Sequence, residues 1–192
     1  MKASSMDVEI AASLPKLNKK GKMTAQRKVS ASGRISYEKL RFEGDGTVKN
    51  QIINRYLSAE AEAQEDSSLS VPLTPENYNF KYKGRTWLAG RDTHVFDVSP
   101  KHKRKGAFRG QVWIDAATFL RVQESGYLVK SPSIFLKKVA FVRKFQIRDG
   151  ISIPRQEQSV VDTRLGVGPA EMTIDFSNFA IDSDESLGPG IE

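Results

Sequence analysis

Cysteine is absent from the 192 residues of this chain. Its absence excludes a thiol nucleophile, a thiolate ligand for a metal ion and any disulfide bond. A domain of this length buries roughly 70% of the surface that its unfolded chain exposes. We therefore expect one domain that folds without the help of a metal ion or a cross-link.

Long apolar segments are also missing. A helix that crosses a membrane needs about 20 consecutive apolar residues, and no stretch of this sequence approaches that length. Near the N-terminus, the longest uncharged run with apolar character covers residues 10–15, which is too short for the hydrophobic part of a signal peptide. These features indicate a soluble protein or the mature form of an exported one, with no signal peptide in these residues.

Side chains that carry enzyme chemistry are few and scattered. The histidines are His94 and His102, and the spacing Asp92-x-His94 is equally that of ordinary strand alternation. Motifs for a serine nucleophile, a phosphate-binding loop or a zinc-binding helix are absent from the sequence. Two carboxylates near strand ends could converge as in a glycosidase, although aspartate is common in turns. The candidates are Asp115, Asp149, Asp162 and Asp175. We expect no enzyme activity, no metal ion and no cofactor.

Positive charge predominates, since 30 lysines and arginines stand against 23 acidic residues and give a net charge of +7. Such an excess favours an anionic partner. The densest group, here called the basic turn, contains Lys101, Lys103, Arg104 and Lys105. It could contact an anionic membrane surface, or it could be a solvated turn that protects a sheet edge. Nucleic acid is disfavoured, because the charge is spread along the chain and no row of stacking aromatic residues accompanies the basic turn.

One long amphipathic helix is predicted over residues 48–64. Asp45 and Thr47 precede it and are candidates for its N-cap. Its apolar side chains recur mostly at steps of three and four residues, so they form one stripe. The stripe contains Val48, Ile52, Ile53, Tyr56, Leu57, Ala59 and Ala63. A stripe of this width must be buried, most simply against a sheet.

Period-two alternation covers much of the remaining chain and predicts an antiparallel meander, with a hairpin turn at Asp149-Gly150. Residues 1–18 show no clear period and are expected to be loosely structured, with one or two helical turns over residues 6–14. Residues 19–181 are expected to form a single domain, and residues 182–192 an acidic, frayed tail. The predicted class is mainly β (α+β). A sheet of eight or more strands curls, so we expect an incomplete β-barrel with the helix on its concave face.

Alternation also predicts which side chains share the concave face. The expected set contains Phe80, Tyr82, Phe96, Val112, Ile114, Val122, Val139, Phe141, Ile174 and Phe176, with Ile53 and Tyr56 added from the helix. Trp113 has the other parity and is expected on the convex side or at an edge. Lys137 and Arg143 interrupt the apolar parity of the strand near residue 140. These side chains could fill a core or line an apolar cavity suited to an acyl chain, and the sequence leaves both readings open.

Several segments resemble the bacterial outer-membrane lipoprotein-sorting proteins, the LolA/LolB-like carrier group. In residues 98–115 a strand ends in a turn and the next strand runs into Val112-Trp-Ile-Asp115, followed by another strand at residues 119–122. Residues 138–143, 150–154 and 170–179 are similar to the later strands and turns of that group. The resemblance extends over about residues 19–181. The sequence departs from the group in its weak N-terminal helix, and its main helix is expected to follow two strands.

The resemblance implies an incomplete antiparallel barrel whose apolar cavity binds acyl chains of lipids or lipoproteins in the periplasm. It implies no enzyme activity, and we expect a monomer. A second reading keeps the fold but fills the cavity, which would make the chain a sensor or a protein-interaction scaffold without a transported lipid. Co-purified lipid would favour the first reading, and a filled core with an exposed groove or edge would favour the second.

Overall fold

Ten antiparallel strands form one open sheet in the computed structural model, which describes residues 3–65, 71–131, 136–163 and 168–181. The strands are β1 Ser4–Leu14, β2 Lys19–Val29, β3 Ile35–Gly44, β4 Tyr78–Leu88, β5 Arg91–Pro100, β6 Phe108–Asp115, β7 Arg121–Leu128, β8 Leu136–Arg148, β9 Ile151–Thr163 and β10 Pro169–Ile181. Their order in the sheet is β3-β2-β1-β10-β9-β8-β7-β6-β5-β4. The mainly β class and the antiparallel sheet predicted from the sequence are confirmed.

Strand β1 lies inside the sheet, between β2 and β10, and pairs with β2 along its whole length. The expectation of a loose or helical N-terminal segment is therefore wrong for Ser4–Leu14. Its apolar side chains alternate strictly with exposed or half-buried ones, and the buried set is Met6, Val8, Ile10, Ala12 and Leu14. That spacing is the period-two signal of a strand with one buried face. The predicted tail at residues 182–192 lies outside the described residues.

The predicted helix is present and begins with a capped first turn. Helix α1 covers Gly46–Val48, a π-helical turn covers Lys49–Ile53, and helix α2 covers Asn54–Glu65. The Asp45 carboxylate accepts a hydrogen bond of 2.7 Å from the backbone N–H of Thr47, as expected of an N-cap. Val48 and Ile53 are both fully buried although they are five residues apart. The wider π-helical turn, with its i to i+5 bonding, brings this spacing onto one side.

The helical connection starts at one edge of the sheet and returns at the other. Strand β3 is the edge strand before it and β4 the edge strand after it, so the helix follows three strands rather than the expected two. Neighbouring strands are about 4.8 Å apart, and nine such spacings separate the edges along the sheet. The helix packs on β1 and β2, where Val48 and Ile53 join the same buried apolar cluster as Ile10. None of the helices described is long and apolar enough to cross a membrane.

Replacement of Ile53 by aspartate should lower the free energy of unfolding by several kcal/mol, because a charge without a partner would be buried under the helix. Urea unfolding followed by far-UV circular dichroism measures the change. Leu40→Asp is the matched control, since Leu40 is half-exposed on edge strand β3, and its cost should be much smaller. Equal costs for the two variants would contradict the packing described.

Candidate functional site

A single row of directly opposed residues crosses all ten strands. It contains Tyr82, Phe96, Val112, Glu124, Arg143, Glu157, Ile174, Ile10, Met23 and Phe42. Opposed residues of an antiparallel pair point to the same side of the sheet, so the whole row lies on one face. Since Ile10 and Met23 pack against Val48 and Ile53 of the helical segment, this is the face that carries the helix, here called the helix face.

Most side chains predicted to line a cavity lie on the helix face. Register or strand alternation places there Phe80, Tyr82, Phe96, Val112, Ile114, Val139, Phe141, Ile174 and Phe176. Val122 is buried at a bulge, between the two residues of β7 that pair with β6. Ile53 and Tyr56 approach the same face from the helix. Trp113 is opposed to Val95 and Gln123 and lies on the other face.

Eight of the twelve predicted residues belong to two separate apolar groups. The first lies under the helix and contains Ile53, Tyr56, Ile174 and Phe176 together with the buried side of β1. The second lies on β4, β5, β6 and β8 and is built on Tyr78, Val98, Phe108, Val112 and Phe141. Phe96 and Ile114 pack against the second group, as do Val71 and Leu73 from the connection before β4. Ligand contact by these residues stays a prediction.

Charged side chains separate the two groups at the middle of the row. Glu124, Arg143 and Glu157 occupy three successive positions of the row, and Arg121 joins them from β7. These four residues are here called the charged seam. The Nε atom of Arg143 donates to the Glu157 carboxylate at 2.8 Å, and its Nη1 atom lies 3.7 Å from Glu124. Arg121 donates a second charged hydrogen bond to Glu124.

The seam is held in an environment that disfavours isolated charge. The Glu124 side chain is only 3% exposed and the Arg143 side chain 37%. Burial opposes the charge of Arg143, but Glu157 and Glu124 outweigh that effect and raise the pKa of its guanidinium. The guanidinium also lies over the ring of Phe141, 4.3 Å from its centroid. Two arginines and two glutamates thus form a compensated polar strip between apolar regions.

Helix α2 is fixed to the β2–β3 side by a second polar contact. Glu60 accepts hydrogen bonds from Arg27 at 3.0 Å and from the Tyr37 hydroxyl. Burial and the nearby Glu60 carboxylate raise the pKa of Tyr37, which therefore stays a hydrogen-bond donor. Burial also raises the pKa of Tyr56, with the Glu60 and Glu157 carboxylates as further causes.

The apolar group on β4 to β8 reaches the surface through an aromatic strip. Ring contacts run from Phe141 through Phe108, Tyr78, Phe80 and Phe96 to Tyr82 and His94. Phe80 is 38% exposed and Tyr82 52% exposed, while Phe96 is half-buried between them. The helix face is therefore covered at β1 and β2 but presents exposed aromatic rings at β4.

Two surface depressions lie on the opposite face. One, of about 610 Å³, is lined mainly by side chains of β1, β2 and β10 that point away from the helix, among them Ala11, Lys22 and Thr173. The other, of about 400 Å³, is lined by Lys81, Asp97, Arg109 and their neighbours on β4, β5 and β6. Neither depression is the acyl-sized space expected under the helix.

The basic turn is exposed at all four of its cationic positions, Lys101, Lys103, Arg104 and Lys105. The backbone N–H of Lys101 donates to Asn77 at 2.8 Å, and its ammonium donates to the carbonyl of Pro75. The turn is thus joined to the start of edge strand β4. Contact with an anionic surface stays a prediction.

The candidate enzyme chemistry does not assemble in the part of the chain described. His94 contacts the Tyr82 hydroxyl at 3.2 Å, whereas Asp92 pairs with Arg85. No group of three or more histidine and acidic residues at the described positions could hold a metal ion. Asp162 is opposed to Pro169, six residues along β10 from Asp175, which is about 20 Å in a strand. Those two carboxylates cannot act on one bond.

Asp115 has a structural role at the end of β6. One carboxylate oxygen accepts from the backbone N–H groups of Ala117 and Thr118 and from the Thr118 hydroxyl. The other accepts from Arg91 at 3.2 Å. Burial acts to raise the pKa of this carboxyl, but the bonds from Thr118 and Arg91 outweigh it, so the pKa of Asp115 is lowered. The carboxylate caps the turn between β6 and β7.

Replacement of Asp115 by asparagine should cost about 1–2 kcal/mol at neutral pH, because charge-assisted bonds are lost. A lowered pKa in the folded state stabilises the protein above the unfolded value near 3.9, and that contribution disappears as the pH falls through the folded value. The difference between wild type and variant should therefore shrink below about pH 4 in urea unfolding curves. Asp162→Asn, at an exposed position of β9, is the control and should change stability by less than about 0.5 kcal/mol. A difference that persists at low pH would contradict this role.

A double-mutant cycle tests the charged seam. Arg143→Met should cost about 2 kcal/mol, because it leaves the half-buried Glu157 carboxylate without its cation. The double variant Arg143→Met, Glu157→Leu should recover most of that loss, since apolar replacement of a half-buried pair is close to neutral. The control pair is Lys28–Glu38, which is largely exposed at 2.9 Å, and Lys28→Met should cost less than about 1 kcal/mol. If Arg143→Met lowers the free energy of unfolding no more than Lys28→Met does, the ion pairs of the seam do not offset a cost of burial.

Structural comparison relates the chain to known folds. No protein-family model and no curated protein matches the sequence. The solved structure of a DUF1329 family protein from Desulfovibrio piger covers 96% of this chain and 88% of its own, with a TM-score of 0.54 and 15% identity. A LolA superfamily protein from Nitrosomonas europaea covers 95% and 87% (TM-score 0.39, 12% identity), and a putative outer membrane lipoprotein-sorting protein domain from Vibrio parahaemolyticus covers 97% and 88% (TM-score 0.43, 12% identity). The chain therefore has the fold seen in the DUF1329 family protein.

Proposed function

We propose that this protein is a non-enzymatic binding protein for the acyl chains of lipids or lipoproteins. The observation that carries the proposal is the exposed aromatic strip on the helix face, where Phe80 contacts the buried Tyr78 and Tyr82 contacts the half-buried Phe96. Exposed aromatic rings that are continuous with a core are typical of a surface that is covered by an apolar ligand or partner.

Acyl chains suit this surface because its chemistry is almost entirely apolar. Affinity would come from the burial of apolar area, at about 25 cal/mol per Å², rather than from specific polar contacts. Rings of phenylalanine and tyrosine adapt to chains of different length and need no cofactor. The same property would allow several acyl types to bind at one site.

The charged seam limits where such a ligand can lie. An acyl chain that crossed it would cover Glu124, Arg143 and Glu157 and would gain no polar contacts in return. The ligand therefore lies on the β4–β8 half of the helix face and does not run continuously under the helix. Its polar end would lie at the seam, where the half-exposed Arg121 and Arg143 offer N–H donors.

The cellular setting follows from the resemblance to lipoprotein-sorting proteins. We propose a periplasmic location, a monomeric state and a role in outer-membrane lipoprotein sorting, with the sheet curled towards the helix as an incomplete barrel. The basic turn is the part that would contact an anionic membrane, since its four cations are exposed and each is worth about 1 kcal/mol near such a surface.

Displacement of a fluorescent fatty acid from delipidated protein tests the acyl site. Wild type should bind the probe saturably, and the double variant Phe80→Ser, Tyr82→Ser should weaken binding about tenfold, because part of the apolar contact area is lost. Both side chains are partly exposed, so the variant should remain folded.

Phe119→Ser is the matched control, since Phe119 is 75% exposed in the turn between β6 and β7, away from the aromatic strip. It should bind the probe as wild type does. Absence of saturable binding by the wild type would remove the carrier function, and an equal loss in the control would show that the aromatic strip is not the site.

A further inference from the structure

Edge strand β4 exposes a regular backbone edge over residues 78–82, before a bulge at Lys83 and Gly84, where Gly84 has a φ of 120°. This regular part has five residues, which is about 17 Å at the rise of an extended strand, and β5 is its partner in the sheet. On its outer side, every second residue directs an N–H and a C=O away from β5. No strand of the described chain pairs with these outward groups. Such an edge is a template for another strand.

The side chains of β4 carry charge of one sign. The strand contains Lys81, Lys83 and Arg85 and no acidic residue. Arg85 is neutralised by Asp92, and Asp97 lies 3.6 Å from Lys83 while it also accepts from Gln111. The basic turn continues the positive charge beyond the start of the strand, where Lys101 bonds to Asn77.

The other edge of the sheet differs in its charge. Strand β3 contains two acidic residues, Glu38 and Glu43, beside Lys39 and Arg41, so its charges are balanced. Its backbone is irregular at Lys39, which has a φ of 54°, next to a shift in the pairing with β2. Each edge strand thus contains one irregular position, at Lys39 in β3 and at Gly84 in β4, and charge is what distinguishes the two edges. Of the two edges of the sheet, β4 is therefore the one expected to attract an acidic strand.

We propose that β4 binds an extended acidic peptide segment of a partner protein as an additional strand of the sheet. Main-chain hydrogen bonds to β4 supply affinity, and the alternation of the side chains supplies specificity. On the helix face, the segment places apolar side chains beside Phe80 and Tyr82. On the opposite face, it places acidic side chains beside Lys81 and Lys83. The preferred sequence thus alternates apolar with acidic residues.

Both proposed ligands would contact Phe80 and Tyr82, but the two proposals can be tested separately because Lys81 and Lys83 lie on the other face from the aromatic strip. Charge reversal by Lys81→Glu, Lys83→Glu should abolish peptide binding and leave fatty-acid binding at the wild-type level. The failure of one proposal is therefore distinguishable from the failure of the other.

The probe is a synthetic peptide of about ten residues in which valine alternates with glutamate, with both ends blocked. We expect saturable binding by fluorescence anisotropy, and backbone amide shifts in nuclear magnetic resonance spectra confined to β4 and its neighbour β5. Lys81→Glu, Lys83→Glu should weaken the complex at least about tenfold. The matched control Lys39→Glu, Arg41→Glu makes the same charge change on β3 and should leave the affinity unchanged.

N-methylation of the peptide distinguishes a strand ladder from simple charge attraction. An antiparallel strand bonds through alternate residues, so methylation of either all valine or all glutamate nitrogens should abolish binding, and methylation of the other set should not. Unchanged affinity for both methylated peptides would overturn the proposal. So would an equal loss in the β3 control, or binding to phosphatidylglycerol vesicles without binding to the peptide, which would assign the lysines to a membrane surface.

Discussion

Directly opposed residues on ten successive strands determine which side chains share the helix face, and every other feature depends on that register. A slip of one residue at any strand would transfer its buried side chains to the opposite face. Strand β1 is most sensitive to such a slip, because it is paired on both sides and its five alternate apolar side chains pack against β2, β10 and the helical segment. The best-packed part of the fold is therefore centred on β1, the third strand from the β3 edge of the sheet.

The same register places charged side chains between the two apolar groups of the helix face, and their burial in the charged seam costs free energy. Glu124, Arg143 and Glu157 occupy positions where an apolar residue would continue the core on both sides. Pairing offsets the cost of burial, as the raised pKa of Arg143 indicates. Because the seam divides the helix face, the protein has a core under the helix and a separate apolar surface at β4 to β8. A single cavity beneath the helix is not the arrangement that these charges favour.

The sequence predicted the helix, the antiparallel sheet and the shared parity of the apolar residues from β4 onwards, because each is a local pattern of period 3.6 or 2. It did not predict β1, whose alternation was present but includes alanine and serine, residues with little strand preference of their own. The charged seam was not predicted, because strand alternation was used to assign only the apolar residues to a face. Arg143 appeared only as an interruption, and its partners Glu124 and Glu157 lie 19 and 14 residues away in sequence. The register of β7, β8 and β9 was needed to bring the three together.

The position of the helix explains why the two halves of its face differ. Apolar contacts of Val48 and Ile53 hold its first turns on β1 and β2, and the bonds from Arg27 and Tyr37 to Glu60 hold α2 on the same side. A helix of 1.5 Å rise per residue that is fixed at both points cannot also cover the far strands. The aromatic strip of β4 and β5 is exposed because the anchored helix does not reach it. Apolar residues to pack against are present on these strands. Exposure at β4 is thus a consequence of how the helix is anchored, six or more strands away.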